Sequence, residues 1–227
     1  MTLVKLSQLL IDVPEITELD INPLIADSEG VLALDARIVV RSSATADRLA
    51  IHPYPSEFEQ TIALADGSPV FVRPIRPEDQ PKLVGMVMRS TPRDIHLRFF
   101  SRMKQLPHMM AARLSQIDYS REMAFVAIAL PGSADAGDIL GVARLIADAN
   151  NERAEFAVMV RSDWHGRALG YKLMQGLITY ADRRGIGTLY GDVLRENVTM
   201  LQMARELGFK VESTDMPEFF HVERSRP

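Results

Sequence analysis

The residues best suited to chemistry lie between Ala154 and Gly170, in the stretch AEFAVMVRSDWHGRALG. An apolar run opens with a carboxylate, Glu155, and passes into a short turn bearing Gly166 and Gly170 at the head of a long helical pattern. The first turn of a helix leaves backbone N–H groups without intrahelical acceptors and carries partial positive charge. Residues His165 to Gly170 are therefore placed to cradle a diphosphate. Glu155, further back on the strand that feeds the turn, can receive a proton near the reacting end of the same ligand.

These residues sit in a chain of 227 residues, 47% hydrophobic and 25% charged, which is enough for one well-packed domain and a smaller appendage. The chain has no cysteine, which excludes disulfides, zinc-thiolate sites and a thiol-bound acyl intermediate. Its apolar runs fall far short of the roughly 20 residues of a membrane helix. The N-terminal segment, broken by Lys5, Gln8 and Asp12, lacks a signal-peptide core. A cytoplasmic location without a membrane partner is expected. A net charge of −4 and a pI near 5.8 give no global attraction for nucleic acid.

The positioning elements follow from periodicity and turn residues. Residues 1–40 read as a small unit, with Leu3, Leu6, Leu9, Leu10 and Val13 at helical spacing and Pro14 as a stop. Two short strands around Glu18–Ile21 and Val31–Val39 flank an Asp27-Ser28-Glu29-Gly30 turn. Residues 41–60, rich in Ser, Ala, Pro and charge, read as a linker, and residues 61–227 as the main domain. There, strands are expected at 69–75, 123–130, 139–147, 153–160, 188–194, 209–212 and 219–222. Helices are expected at 77–90, 92–100, 107–116, 166–184 and 197–207. Strands that first alternate with helices and then form a meander fit a mixed α/β sheet.

His165-Gly166-Arg167-Ala168-Leu169-Gly170 resembles the acetyl-CoA signature of the GNAT N-acetyltransferases, (Gln/Arg)-x-x-Gly-x-(Gly/Ala), at a strand-to-helix junction. His165 stands for Gln or Arg, and Ala168 for the first Gly. In a helical conformation the methyl of Ala168 costs little, so the site is expected to survive the change. The order of elements matches the GNAT fold over residues 66–224, a mixed, mostly antiparallel sheet flanked by helices. RPIRPED, TPRDIHLRFF, DYSREMAFVAI and AEFAV narrow the resemblance to bacterial protein lysine acetyltransferases fused behind acyl-CoA synthetase modules. ELDINPL and LDAR resemble the carboxyl-terminal end of an ATP-grasp domain. In that family Asn22 and Asp35 would help hold magnesium, but without the nucleotide-holding remainder the segment reads as an inert remnant, with Asn22 serving a turn before Pro23 and no metal bound.

The resemblance implies a direct acyl transfer from acetyl-CoA to a primary amine, most specifically a protein lysine, with an acyl-CoA synthetase as one acceptor. Glu155 would act as general base on an ammonium of pKa about 10.4, unless it is a surface carboxylate paired with Arg153. A strand splaying near Val158 to Val160 would free backbone groups for the oxyanion and the pantetheine arm. Gly166, Ala168 and Gly170 would hold the diphosphate, with Arg167 either on a phosphate or solvated and His165 in the motif or simply on the surface. Asn197, in NxxMxxLxxxLGF, would be a cofactor-side residue, a helix N-cap, or both. The family's thiolate-protonating Tyr, seven residues on, is Ala204 here. A small-amine acetyltransferase and a non-catalytic acyl-CoA-sensing module are the alternatives.

Overall fold

The computed structural model describes residues 2–13, 15–28, 30–41, 52–101 and 103–226. Pro14, Glu29 and residues 42–51 of the expected linker lie outside the described residues. The chain divides into two units, Met1–Pro53 and Tyr54–Pro227.

In the first unit, helix α1 (Thr2–Asp12) precedes four strands, β1 (Ile16–Ile21), β2 (Leu24–Ala26), β3 (Val31–Ala33) and β4 (Ala36–Val40). Where two strands were expected there is one long antiparallel ribbon. β1 pairs with β4 and β2 with β3, and Asn22 N–H to Asp35 O (3.2 Å) and Leu34 N–H to Pro23 O (3.1 Å) bridge the two ladders. The ribbon thus brings Asn22 and Asp35 level with each other through the backbone. Among the described residues, no group of three or more His, Cys, Asp or Glu converges as a metal site.

The second unit is built on an eight-stranded sheet in the order β11-β12-β10-β9-β8-β7-β6-β5. Its strands are β5 (Gln60–Ala63), β6 (Pro69–Pro74), β7 (Glu122–Ala129), β8 (Ile139–Ala147), β9 (Arg153–Val160), β10 (Thr188–Leu194), β11 (Lys210–Ser213) and β12 (Phe219–Ser225). Its helices are α2 (Gln80–Met88), α3 (Pro92–Phe99), α4 (His108–Ser115), α5 (Leu169–Arg184) and α6 (Val198–Glu206). Among the described residues only β9 and β10 pair in parallel, as the crossover through α5 requires. β7 and β8 are apolar and buried along almost their whole length because helices cover both faces. One face packs Leu145, Phe156 and Val193 against Leu173, Leu177 and Leu201 of α5 and α6. The other packs Val126, Val142 and Met159 against Leu83, Val87 and Ile95 of α2 and α3. Each fully buried side chain of this kind contributes about 1.5–3 kcal/mol. Among the described residues no helix is long and apolar enough to cross a membrane.

Residues 54–60 differ from the linker expected of their composition. Tyr54 meets Tyr119 edge-on with ring centroids 5.9 Å apart, and Phe58 meets Tyr180 at 5.2 Å. Two aromatic rings among prolines and serines supply the apolar surface that docks this stretch on the second unit, and β5 adds an edge strand beyond it.

A buried ion pair fixes the entry to α2. Arg73 on β6 and Asp79, in the 3-10 turn Pro77–Asp79, form a bidentate pair (both contacts 2.7 Å), and Asp79 also accepts from Arg76 N–H at 2.8 Å. Burial pushes the Asp79 carboxyl up, but Arg73 and the Arg76 N–H outweigh it and hold it below the usual carboxylate range. Such a group stabilises the fold above its unfolded pKa near 4, and that contribution is lost as pH falls through the lower folded value. Asp79→Asn, which leaves Arg73 buried and unpaired, is expected to cost about 3–5 kcal/mol at neutral pH. It should also flatten the acid limb of stability below pH ~4, as read from urea midpoints across pH. An unchanged midpoint and acid limb would refute this role.

Candidate active site

The site begins where two neighbouring strands stop pairing. β9 and β10 are in register only at Thr188↔Arg153, Leu189↔Ala154 and Tyr190↔Glu155. β10 continues to Leu194 against β12, and β9 continues to Val160 against β8, so the sheet opens as a fork beyond Glu155. Gly191 permits the close approach at its base, since a Cβ there would lie 3.2 Å from Phe156 O. Arg161 N–H donates to Leu140 O (2.8 Å). By alternation along an antiparallel ladder, Glu155, Ala157 and Met159 then bond toward β8, while the backbone groups of Phe156, Val158 and Val160 point into the fork. The opening starts at Phe156, two residues earlier than the splay expected at Val158.

Glu155 stands at the base of the fork and is exposed. It shares a sheet face with Tyr190 by register, and that is the face α3 covers beside β9. Arg98 of α3 is its electrostatic neighbour. Burial pulls the Arg98 guanidinium down to about 10, the Glu155 carboxylate working against it, so Arg98 is still cationic at neutral pH. Arg144, level with Ala157 on β8, is likewise drawn down to about 10 by burial and by Arg98, and it donates to Leu114 O at 2.6 Å. Glu122, without an assigned role from sequence, is the carboxylate that offsets the charge of Arg144.

The turn after β9 is locked on three sides. Arg161, 1% exposed, holds Asp163 through two contacts of 2.7 and 2.8 Å and Asp135 at 2.7 Å. Asp135 also accepts from Trp164 Nε1 (3.3 Å) and pairs with Arg89, which bridges to Asp138. Arg161 holds the Asp135 carboxyl below the usual carboxylate range. Ser162 Oγ donates to Asp94 Oδ2 and accepts from Thr91 N–H (2.7 Å), tying the turn to the N-terminus of α3. Arg167 stacks 4.4 Å over Trp164, pairs with Asp66 at 3.1 Å, and gives its carbonyl to Ala65 N–H. Its guanidinium is thus held by protein partners at a partly exposed position, from which it can still reach a phosphate. No local pattern in the chain marks the Arg161 cluster. Asp135 and Asp138 lie in a loop of small and acidic residues between two strands, and an arginine at a strand end carries no periodic signal.

The helix expected from Gly166 starts at Leu169. Gly166 (φ 76°) and Ala168 (φ 61°) are both left-handed, so the stretch between them is a turn. This corrects the assumption that Ala168 sits in a helical conformation at small cost. The family's first Gly answers a left-handed backbone, which costs an L-residue about 1–2 kcal/mol. Lys172 N–H closes the first helical bond onto Ala168 O (3.0 Å), leaving the N–H groups of Leu169, Gly170 and Tyr171 without intrahelical acceptors. His165 Nε2 donates to Val160 O (2.9 Å), which fixes the tautomer and uses one of the backbone acceptors in the fork. Asn197 Oδ1 accepts from Met200 N–H (3.1 Å) and so caps α6. Ala204, where the family places its Tyr, is fully buried in the core.

This combination of a forked sheet and an open helix N-terminus belongs to acyl-CoA-dependent acyl transfer, and comparison with known proteins agrees. The acetyltransferase (GNAT) domain family matches residues 70–210, and the chain belongs to that family. Membership of that family makes it an N-acetyltransferase that uses acetyl-CoA as cosubstrate. The ATP-grasp domain family matches residues 1–40. Acetyltransferase PA5475 of Pseudomonas aeruginosa is 32% identical over 149 residues, covering 65% of this chain and 78% of that protein. Acetyltransferase Pat of Mycolicibacterium smegmatis is 26% identical over 148 residues, and the match spans 43% of its length. The GNAT domain of S. lividans PAT superposes with a TM-score of 0.70 at 22% identity, covering 77% of this chain and 100% of that domain. RimL, a ribosomal L7/L12 alpha-N-protein acetyltransferase in complex with coenzyme A, superposes at 0.55 with 13% identity, covering 69% and 93%.

Two outcomes follow for the turn. Ala168→Gly relieves the left-handed methyl and is expected to raise unfolding free energy by roughly 0.5–1 kcal/mol in urea titrations, the gain being limited by the freer unfolded chain. A loss of stability would contradict it. Gly170→Glu puts a carboxylate in the first turn of α5, where a diphosphate would lie, and is expected to abolish acetyl-CoA binding in calorimetry while the fold persists. Undiminished affinity would place the diphosphate elsewhere.

Proposed function

We propose that the chain transfers an acetyl group directly to a lysine ε-amine on a protein, with Glu155 as the general base. The observation that carries the reading is the exposure of Glu155 at the base of the fork. Beside it Arg153, Tyr190, Asp192, His221 and Glu223 are also exposed or partly so, which leaves room for a protein surface at the base of the fork. Residues 1–40, with their ATP-grasp likeness, make an acyl-CoA synthetase a fitting acceptor.

In this reading the turn from His165 to Gly170 holds the diphosphate by its N–H groups and by the start of α5. The fork-facing backbone of Phe156 and Val158, with Val160 N–H, aligns the pantetheine arm and supplies a donor to the oxyanion. Asn197, its Oδ1 committed to the α6 cap, keeps its amide N–H₂ for the cosubstrate side. Glu155 takes the ammonium proton directly or through one water. The freed nitrogen forms the new C–N bond, the thioester C–S bond breaks, and the second proton shed by the nitrogen passes through water to the departing coenzyme A thiolate, whose pKa near 8.5 asks little of a dedicated acid. The missing Tyr at Ala204 is then a modest loss.

Glu155→Gln keeps shape and removes the proton acceptor. Turnover is expected to fall by ~10²–10⁴-fold at pH 7, with acetyl-CoA affinity nearly unchanged because backbone groups hold it. The deficit should narrow as pH rises, since more amine arrives deprotonated. Near-normal turnover at pH 7 would return Glu155 to a surface carboxylate. Labelled acetyl-CoA added with the purified chain to a lysate separates acceptors by mass spectrometry, and label confined to metabolites would favour a small amine.

A further inference from the structure

Beyond the base of the fork, at its open end, lies a cavity of about 400 Å³ that the transfer chemistry does not use. Its walls come from the end of α3, the end of β10 and the start of β12. Phe100 and Phe219 meet there edge to face, with ring centroids 5.0 Å apart. Glu196 and Glu218 bring two exposed carboxylates to its rim, and His96 Nε2 lies 3.7 Å from Glu196. Among the described residues neither carboxylate pairs with Lys or Arg. Arg195 also borders the cavity, but its guanidinium stacks 4.1 Å over Phe220, which packs against the core on the opposite sheet face. The cavity therefore joins aromatic walls to uncompensated negative charge, which suits a long aliphatic stem ending in a cation.

The cavity is continuous with the catalytic face. Leu194, Asp192 and Tyr190 alternate onto the side that carries Glu155, as do Phe219, His221 and Glu223 opposite them on β12. Four residues of strand separate Leu194 from Tyr190, a distance of roughly 13 Å at about 3.3 Å per residue. An extended peptide covers that span in three to four residues. The carboxylate of Asp192 lies along the way, held at 3.0 Å from His221 Nδ1.

We propose that this cavity is a specificity subsite for a second cationic side chain, three or four residues from the lysine that is acetylated. The inference rests on the lysine reading above and adds a sequence preference to it. The test uses synthetic peptides with one lysine and, at three or four positions to either side, arginine or its uncharged counterpart norleucine. Arginine supplies charge without offering an acylatable amine. On the full chain, arginine in one of these positions is expected to raise kcat/KM at least ~10-fold over norleucine, and the double variant Glu196→Gln/Glu218→Gln to bring that ratio close to one. Glu196→Lys/Glu218→Lys should invert it, favouring a glutamate-flanked peptide. Because each ratio is taken within one variant, a general loss of activity does not imitate the effect. Acetylation of every lysine peptide at the same rate, or an arginine preference that survives both double variants, would overturn the subsite while leaving the lysine reading intact. Acetylation of spermidine but of none of the peptides would overturn the lysine reading and this inference with it.

Discussion

Backbone polar groups inside a sheet must be paired, and β9 is made to break that rule over half its length. Once β10 turns away after Tyr190, the N–H and C=O groups of Phe156, Val158 and Val160 face a gap that no strand fills. A ligand with amide groups of its own is the natural replacement for the missing strand, as a peptide would be at any sheet edge. The pantetheine arm of acetyl-CoA has that character. The place of Glu155 at the base of the fork follows from where the pairing ends.

A gap of this kind closes or distorts unless its edges are held. Arg161 serves as the fastening. It is a buried cation at the end of β9, ringed by Asp135 and Asp163 with Asp138 nearby, and it binds the strand end to the loop after β7. Ser162 binds the next residue to α3, and Arg167 binds the far side of the turn to Trp164 and Asp66. The turn proposed to hold the diphosphate is thus backbone fixed in a rigid frame, which is what a site relying on N–H groups needs to avoid ordering costs on binding.

Much of this was legible in the sequence because periodicity and glycine placement act locally. The strands from 123 to 194, the helices between them, and the pairing of Glu155 with a glycine turn all follow from residues near each other in the chain. What escaped was non-local or conformational. Asp135 and Arg161 are far apart in sequence, Tyr54 and Phe58 gain meaning only from the rings they meet, and the first unit's ribbon depends on backbone bonds that have no residue identity. Ala168 escaped for another reason, since its methyl is compatible with a helix and only the backbone at that point demands otherwise.

The fork also divides the sheet mechanically. β5 to β9 form one leaf and β10, β12 and β11 form a second, and between them run three registered residue pairs, with α5 and α6 spanning the seam on one face only. On the other face, among the described residues, α3 alone reaches across, from β9 to Phe219 of β12, where Phe100 meets it edge to face. A thioester lying in the gap would act as a removable rib, bonded to one leaf along its length and bringing the other to bear on it. The protein would then be stiffest when loaded and most compliant after coenzyme A departs, so the seam itself would mark the stage of the catalytic cycle.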